Sequence, residues 1–179
     1  LAGQEESTDP HNPQRDSTVL TLARRENDAA RISNILVWTG QKHTELWNQL
    51  VNILRSWRCH RVIVDATGIG EPTAAFLRHK LGSRVIPYKF TQASKSELGF
   101  NLLAVINRGN LSLWARDGSA ERRLAMDQLQ LARSLYRPNQ TLNFFVDPAE
   151  GHDDALMSIA LCAGALQYKP KIATGGTYD

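Results

Sequence analysis

Three acidic residues occupy positions where an α/β protein usually binds its ligands. Asp65 ends the apolar run Val62–Val64 and is followed by the turn-forming segment ATGIG. Asp153 and Asp154 stand together at the start of a run of small and aliphatic residues with helical spacing. Ligands of α/β sheets bind beyond the carboxyl ends of strands, and the positive end of a helix keeps nearby carboxylates ionised. These positions make the three acids the candidate catalytic residues and metal ligands.

Each of these carboxylates also has a purely structural explanation. Asp65 can close a turn through its own side chain, and Asp153 can cap the helix with Asp154 in its first turn. If the three converge in space, they offer the oxygen donors that a hard divalent cation prefers. Two such ions about 3.5–4 Å apart assist phosphodiester hydrolysis, which predicts an endonuclease with a two-metal mechanism. The residues alone leave both interpretations open.

Other common catalytic motifs are missing from the sequence. It contains neither a GxSxG nucleophile elbow nor a complete GxxxxGK(S/T) phosphate loop, and its histidines lack the spacing of zinc ligands. A dinucleotide loop at GIG is a poor fit, because no acid follows about 20 residues later and Asp65 would repel a pyrophosphate. Cys59 and Cys162 form no CxxC pair, which indicates a reducing compartment and no thiolate metal site.

The positive charge of the chain is mild but unevenly distributed. The formal net charge is +3 and the pI is about 9.0. Acids crowd the last third of the sequence, whereas the cations are spread, which fits a metal site that faces a polyanion. The candidate DNA contacts are Lys89, Lys95, Arg108 and Arg137, the last of these in a basic and aromatic hairpin-like segment over residues 137–145.

The elements that must position these residues follow from periodicity and turn signals. Strands are predicted at 18–23, 31–38, 61–65, 84–88, 111–114 and 141–146, and helices at 44–58, 72–81, 95–107, 119–135 and 153–167. Asn27 and Asp28 supply the turn of a hairpin between the first two strands. A leading hairpin followed by alternating helices and strands predicts an α/β fold with a central mixed sheet and helices on both faces.

The composition is that of one globular domain. With 179 residues, 42% of them hydrophobic and 22% charged, the chain is long enough for one core and too apolar for general disorder. No apolar run reaches the roughly 18 residues of a membrane helix, and the start LAGQEESTDP is unlike a secretory signal. We expect one domain over residues 1–168, in which residues 1–16 form a partial first strand and a loop, and a flexible tail over residues 169–179.

Four segments in order resemble the nuclease domain of the large terminase subunit of tailed bacteriophages, a ribonuclease H-like fold. They are Asp16–Arg25, Val62–Pro72, Tyr88–Leu113 and Gly151–Leu161, and together they span nearly the whole chain. The resemblance implies an endonuclease that cuts concatemeric double-stranded DNA during genome packaging. It also implies Mg²⁺ or Mn²⁺ as the cofactor and the cytoplasm of an infected bacterial host as the location.

The same resemblance assigns roles to single residues. Asp65 matches the central acid of the family, and Asp153 and Asp154 match its C-terminal acid pair. The first acid of the family lies on the first strand, typically just before a residue like Leu1, so Leu1-Ala2 would be the tail of that strand. The acids near this end are Glu5, Glu6, Asp9 and Asp16, and none of them lies on a predicted strand.

The resemblance further implies partners, and other functions stay open beside it. The expected partners are double-stranded DNA, the terminase ATPase domain that would precede Leu1, the small terminase subunit and the portal. Within the nuclease class, the alternative is a Holliday-junction-resolvase-like enzyme. Outside it, the alternatives are a catalytically silent DNA-binding or docking module, which the missing first acid favours, and a phosphoryl-transfer enzyme that uses the TGIG turn.

Overall fold

A computed structural model of the chain describes residues 17–167, which form alternating strands and helices. The strands are β1 (Ser17–Glu26), β2 (Ala29–Thr39), β3 (Val62–Asp65), β4 (Val85–Tyr88), β5 (Leu111–Ser112), β6 (Arg133–Tyr136) and β7 (Leu142–Phe145). The helices are α1 (His43–Ser56), α2 (Glu71–Leu81), α3 (Gln92–Asn107), α4 (Ala120–Leu131) and α5 (Asp154–Gln167). None of the helices in this part of the chain is long and apolar enough to cross a membrane.

The predicted N-terminal hairpin is confirmed. Strands β1 and β2 pair antiparallel from Ser17 opposite Thr39 to Glu26 opposite Ala29, so the loop consists of two residues. The first of these, Asn27, has a φ of 55°, a left-handed conformation that asparagine tolerates better than most residues. Strand β5 adds to the other edge of β2 in the parallel sense, which makes this sheet mixed.

Strands β3 and β4 form a parallel pair connected by α2. Val62 lies opposite Val85 and Asp65 lies opposite Tyr88, so the carboxyl ends of both strands reach the same edge. Helix α2 ends at Gly82, whose φ of 72° favours glycine. The predicted strand, turn and helix order of this unit is confirmed.

Helices cover both faces of the sheets. Along β3, Ile63 packs against the core that contains α3 and α5, whereas Val62 and Val64 pack against the core that contains α1 and α2. Along β1, Val19 and Leu20 divide between the same two cores. This alternation is the period of two that a strand imposes on its side chains. The predicted α/β class with helices on both faces is confirmed, and α5 packs against both β1 and β3.

One predicted helix is too long. The helix predicted over residues 119–135 ends at Leu131, and Arg133–Tyr136 form strand β6, which pairs antiparallel with β7. The apolar spacing continues past Leu131, but each residue of β6 pairs with a residue of β7, and this tertiary pairing overrides helix propensity. The predicted first-strand tail at Leu1-Ala2 and the predicted flexible tail at 169–179 lie outside the described residues.

Candidate metal centre

Asp65 lies at the carboxyl end of β3, where the chain turns sharply. Its Oδ1 atom accepts a hydrogen bond of 2.8 Å from the Thr67 backbone N–H. The next residue, Ala66, donates its N–H to the Tyr88 carbonyl at 2.7 Å and so ties the ends of β3 and β4 together. Gly68 follows with a φ of 53°, which lets the chain turn back into α2. The half-buried carboxylate therefore shapes the turn and also stands at the sheet edge where ligands bind.

Asp154 is the first residue of α5 and is held by the start of β1. Its Oδ2 atom accepts a hydrogen bond of 3.0 Å from the Ser17 backbone N–H. The Leu156 N–H donates to Oε1 of Gln128 at 2.9 Å, and Gln128 is a buried residue of α4. Helix N-termini leave backbone N–H groups without intrahelical partners, and here a buried glutamine satisfies one of them. The position of Asp154 is therefore set by β1 and α4 as well as by its own helix.

The structure brings Asp65 and Asp154 to the same cavity. This cavity has a volume of about 770 Å³ and is lined by β1, β3 and α5 together with residues of α1 and α2. Asp153 lines a smaller cavity of about 430 Å³, which Asp154 and His152 also border. Asp154 thus lines both cavities, the larger one together with Asp65 and the smaller one together with Asp153.

The donor chemistry of this cavity fits a hard divalent cation. Asp65 and Asp154 supply carboxylate oxygens from a strand end and a helix start, which are the ligands that Mg²⁺ and Mn²⁺ prefer. Within residues 17–167, no group of three or more histidine, cysteine, aspartate or glutamate side chains gathers as a complete metal cluster. The described part of the chain therefore supplies two carboxylates in one cavity, with Asp153 in the adjoining one.

Arg133 is a residue of this region that the sequence analysis missed. Its guanidinium contacts Oδ2 of Asp147 at 3.2 Å and Oε2 of Glu150 at 3.0 Å. These contacts tie β6 to the loop that leads into Asp153 and Asp154. Asp147 and Glu150, two acids of the last third of the sequence, are thus ion-paired. No local sequence pattern indicates this contact, because Arg133 and its two partners belong to different elements.

Three of the four predicted DNA contacts lie around the N-terminal end of α3. Lys89 directly follows β4, whose last residue pairs with Asp65, and its Nζ lies 3.6 Å from Oε1 of Glu71. Lys95 lies in the first turns of α3, with its Nζ 5.6 Å from the centre of the Phe144 ring. Arg137 is exposed in the turn between β6 and β7.

The β6–β7 turn reaches the start of α3. The Thr141 carbonyl accepts the Arg137 N–H at 2.9 Å, and the Thr141 hydroxyl accepts a hydrogen bond of 3.1 Å from the Gln92 side chain. Arg108 lies at the opposite end of α3. The helix has 16 residues and is therefore about 24 Å long. Lys89, Lys95 and Arg137 therefore all lie towards the N-terminal end of α3 and are called the cationic group below, whereas Arg108 follows the other end of this helix.

The two thiols of the chain stay protonated at neutral pH. Burial raises the pKa of the Cys162 thiol to about 12, and the neighbouring Cys59 adds to the effect. Burial also raises the pKa of Cys59, although Arg84 opposes it. A thiolate, not a thiol, is the form that attacks substrates and binds metal ions. The chemistry of this cavity therefore rests on its carboxylates.

Comparison with known proteins agrees with the fold described above. A family model described as the terminase RNaseH-like domain matches residues 7–127. A comparison with curated proteins found no match.

Solved structures of large terminase nucleases share the fold. The magnesium-bound nuclease from thermophilic phage G20c is 20% identical, covers 90% of this chain and 79% of its own, and has a TM-score of 0.68. Its cobalt-bound form is 19% identical over 86% of this chain and 83% of its own, with a TM-score of 0.62. The nuclease domain from Thermus phage P74-26 is 16% identical over 87% and 80%, with a TM-score of 0.57.

Proposed function

The chain belongs to the family of terminase RNase H-like domains, and we propose that it is a metal-dependent endonuclease that cleaves double-stranded DNA during viral genome packaging. The family model covers more than half of the chain, and the likeness to large terminase nucleases extends over most of it. The observation that carries the proposal is the meeting of Asp65 and Asp154, from a strand end and a helix start, in one cavity. The magnesium and cobalt in two of the G20c structures support a divalent cation as the cofactor.

Asp65 and Asp154 are the proposed metal ligands, and Asp153 is the third proposed catalytic acid. The Thr67 N–H donates to one oxygen of Asp65 and the Ser17 N–H to one oxygen of Asp154, and each of these hydrogen bonds fixes the orientation of its carboxylate. When bound, Mg²⁺ or Mn²⁺ would supply charge stabilisation at the phosphate and an activated water nucleophile. The number of ions stays a prediction, and a calorimetric titration with Mn²⁺ measures it.

Asp16 is the first candidate for a further ligand among the four N-terminal acids. It is joined by one peptide bond to Ser17, whose N–H lies 3.0 Å from Asp154 Oδ2. Of the four acids, Asp16 is thus the nearest along the chain to the contact with Asp154. Glu5, Glu6 and Asp9 are each at least eight residues away from Ser17.

The cationic group of Lys89, Lys95 and Arg137 is proposed to hold the DNA backbone. Cations that contact phosphates release condensed counterions, which gives affinity without sequence preference. This group surrounds the N-terminal end of α3, next to the sheet edge where Asp65 stands. A duplex that contacts the group would therefore pass the acidic cavity.

The test is plasmid nicking in Mn²⁺ by the wild-type chain and by Asp65→Ala and Asp154→Ala. We expect both variants to lose nicking, while Asp147→Ala, which changes an ion-paired acid of the same region, keeps it. Full activity in both variants overturns the proposal. Binding of DNA that requires no cation, without any cleavage by the wild-type chain, identifies a silent binding module instead. A strong preference for four-way junctions over linear duplex identifies a resolvase-like enzyme.

We also propose a role in packaging and the partners that this role requires. Family membership supports the terminase ATPase domain, the small terminase subunit and the portal as partners in an infected host cell. Co-purification of the chain with each of these components tests this part. A chain that cuts DNA but binds none of them keeps the nuclease proposal and removes the packaging role.

A further inference from the structure

Two exposed aromatic side chains meet where helix α3 runs beside the β6–β7 hairpin. Tyr136 on β6 is 62% exposed, and Phe100 on α3 is 43% exposed. The centres of their rings are 6.1 Å apart, and the ring planes are inclined by 53° to each other. The proposed nuclease activity uses neither ring. The pair therefore offers a patch of aromatic surface to a further ligand.

The packing beneath the pair holds it in place. A Cβ atom at Gly99 would lie 2.9 Å from Cδ2 of Leu142, so glycine lets α3 approach β7 closely. The buried Ser96 hydroxyl accepts the Leu142 N–H at 2.9 Å and fixes this approach. Phe100 directly follows Gly99, and Tyr136 lies opposite Leu142 in the hairpin. Because their supports are packed together, the two rings lose little conformational freedom when a ligand binds.

The pair lies on the face of the hairpin that is turned away from the acids. Residues directly opposite each other in an antiparallel pair share a face, so Tyr136 lies on the same face as Leu142, which is buried against α3. Leu135 and its partner Asn143 lie on the other face, because neighbouring residues of a strand alternate. Asn143 lines the smaller cavity together with Asp153. The aromatic pair is therefore separate from the metal centre.

Cations flank the two rings. Arg137 directly follows Tyr136 and is exposed. Lys95 lies five residues before Phe100, a rise of about 7.5 Å along the helix axis. Phosphates of a stacked strand are about 3.4 Å apart, so two to three nucleotides cover this distance. Glu97 is the single acid of α3. Exposed aromatic rings beside cations are the arrangement with which proteins bind single-stranded nucleic acids.

The size of the patch favours a nucleobase over a protein partner. An aromatic side chain has about 150–250 Å² of surface, so at these exposures the two rings present about 200 Å² together. A stable protein interface buries about 800 Å² on each partner. A duplex exposes only the edges of its bases in the grooves, and the faces of the bases are stacked on each other. The ligand that fits the rings is therefore an unpaired base.

We propose that Phe100 and Tyr136 form a stacking site for unpaired bases of single-stranded DNA, whose phosphates contact Lys95 and Arg137. Stacking on a ring tolerates any sequence, because every base has a π-face. Lys95 and Arg137 also belong to the cationic group proposed to hold duplex DNA, so the two DNA sites adjoin. The choice of DNA rests on the proposed function, whereas the stacking site needs neither a metal ion nor cleavage.

Binding of a strand of twelve thymidine nucleotides tests the proposal. Fluorescence anisotropy in EDTA measures it without cleavage. We expect Tyr136→Ala and Phe100→Ala each to weaken binding at least about fivefold, because each removes a stacking surface. Tyr136→Phe keeps the ring and should stay within about twofold of the wild type. The matched control is Leu135→Ala, which removes an equally exposed side chain from the other face of the same strand and should change the affinity less than about twofold.

A second measurement separates contacts to bases from contacts to phosphates. An abasic strand of the same length keeps the phosphates, and the wild-type chain should bind it at least about fivefold more weakly than the thymidine strand. Tyr136→Ala should lose most of this preference and keep its affinity for a blunt duplex.

Three results overturn the proposal. The first is equal affinity of the wild-type chain for the abasic and thymidine strands, which holds whether or not the variants fold. The second is an equal loss of binding in Tyr136→Ala and Leu135→Ala. The third is tighter binding of a uridine RNA of the same length, which removes the assignment to DNA. A chain that binds the thymidine strand as expected but never nicks plasmid in Mn²⁺ contradicts the nuclease proposal and keeps this one.

Discussion

Two groups of acids, Asp147 with Glu150 and Asp65 with Asp154, are held in different ways. Asp147 and Glu150 share the guanidinium of Arg133, at 3.2 and 3.0 Å. Asp154, only a few residues further, accepts the Ser17 N–H, and Asp65 accepts the Thr67 N–H. The first group contacts a cationic side chain, and the second accepts backbone N–H donors and lines a cavity.

The two groups also differ in their place in the structure. A guanidinium neutralises the carboxylates it bridges, and at this exposure the pairs of Arg133 contribute about 1 kcal/mol or less to stability. Asp65 and Asp154 line the larger cavity, whereas Asp147 and Glu150 line neither of the two cavities described above. Position at the cavity, more than the number of acids, distinguishes the two groups.

The largest effect is expected from removing the charge in the cavity. Asp65→Asn and Asp154→Asn keep an oxygen that can accept the Thr67 or Ser17 N–H, but they lose the negative charge. We expect Mn²⁺-dependent nicking to fall at least about 100-fold in each variant, with little change in the thermal unfolding midpoint. Asp147→Asn is the matched control and should keep most of the activity. Equal losses in all three variants would erase the distinction between the two groups.

The next effect concerns the N-terminal acids. Because Asp16 is bonded to Ser17, Asp16→Asn should lower the affinity for Mn²⁺ by about 10- to 100-fold. Glu5→Gln and Glu6→Gln are controls from the same segment and should change it less than about twofold. Isothermal titration calorimetry measures the three affinities. A wild-type affinity in Asp16→Asn shows that this acid does not extend the site.

We expect a smaller effect, on the affinity for DNA, when single cations are removed. Lys89→Ala and Arg137→Ala should each weaken binding to a DNA duplex several-fold and lower the slope of log K against log salt by about 0.9. Arg108→Ala, at the other end of α3, should change the slope least. Fluorescence anisotropy at several salt concentrations measures these slopes. If Arg108→Ala has the largest effect, the duplex does not follow the cationic group.

Removal of the bridging guanidinium should affect stability rather than metal binding. Arg133→Ala leaves two half-exposed acids without their shared cation, and we expect the free energy of unfolding to fall by about 1 kcal/mol. Chemical denaturation of Arg133→Ala, Asp147→Ala and the double variant gives the coupling energy. An unchanged affinity of Arg133→Ala for Mn²⁺ would support a structural role of Arg133. A lost affinity would contradict that role.

The smallest effect concerns the pKa of Asp117, a carboxylate held by neutral donors. Hydrogen bonds from the Ser119 hydroxyl, the Ser119 N–H and the Trp114 ring N–H lower the pKa of Asp117 to about 2. Since the folded pKa is depressed, its contribution to stability is complete above the unfolded value of about 3.9 and is lost as the pH falls toward 2. An NMR titration should show the pKa of Asp117 rising in Ser119→Ala. An unchanged pKa would show that these donors do not hold the charge.

Much of the site was predictable from local sequence. The apolar run before Asp65 and the aliphatic helix after Asp154 indicate a strand end and a helix start, because strand and helix periodicity is a property of neighbouring residues. The hairpin turn at Asn27 and the helix end at Gly82 were predictable for the same reason, since each depends on the backbone freedom of one or two residues.

The contacts that complete the site were not predictable in this way. The bond between Ser17 and Asp154 joins residues 137 positions apart, and the Gln128 contact with Leu156 joins residues 28 positions apart. The end of α4 also depends on distant residues, because β6 exists only where β7 lies beside it. The periodicity of a segment does not indicate which other element that segment will contact.

By itself, the sequence determined the α/β class, the order of the elements other than β6 and the placement of acids at element ends, because these follow from short-range spacing and turn chemistry. Only the tertiary structure decided that Asp65 and Asp154 line one cavity, that Arg133 pairs with Asp147 and Glu150, and that β6 ends the run after α4. The physical reason is that packing and charge pairing depend on distances through space, which the spacing of residues along the chain does not specify.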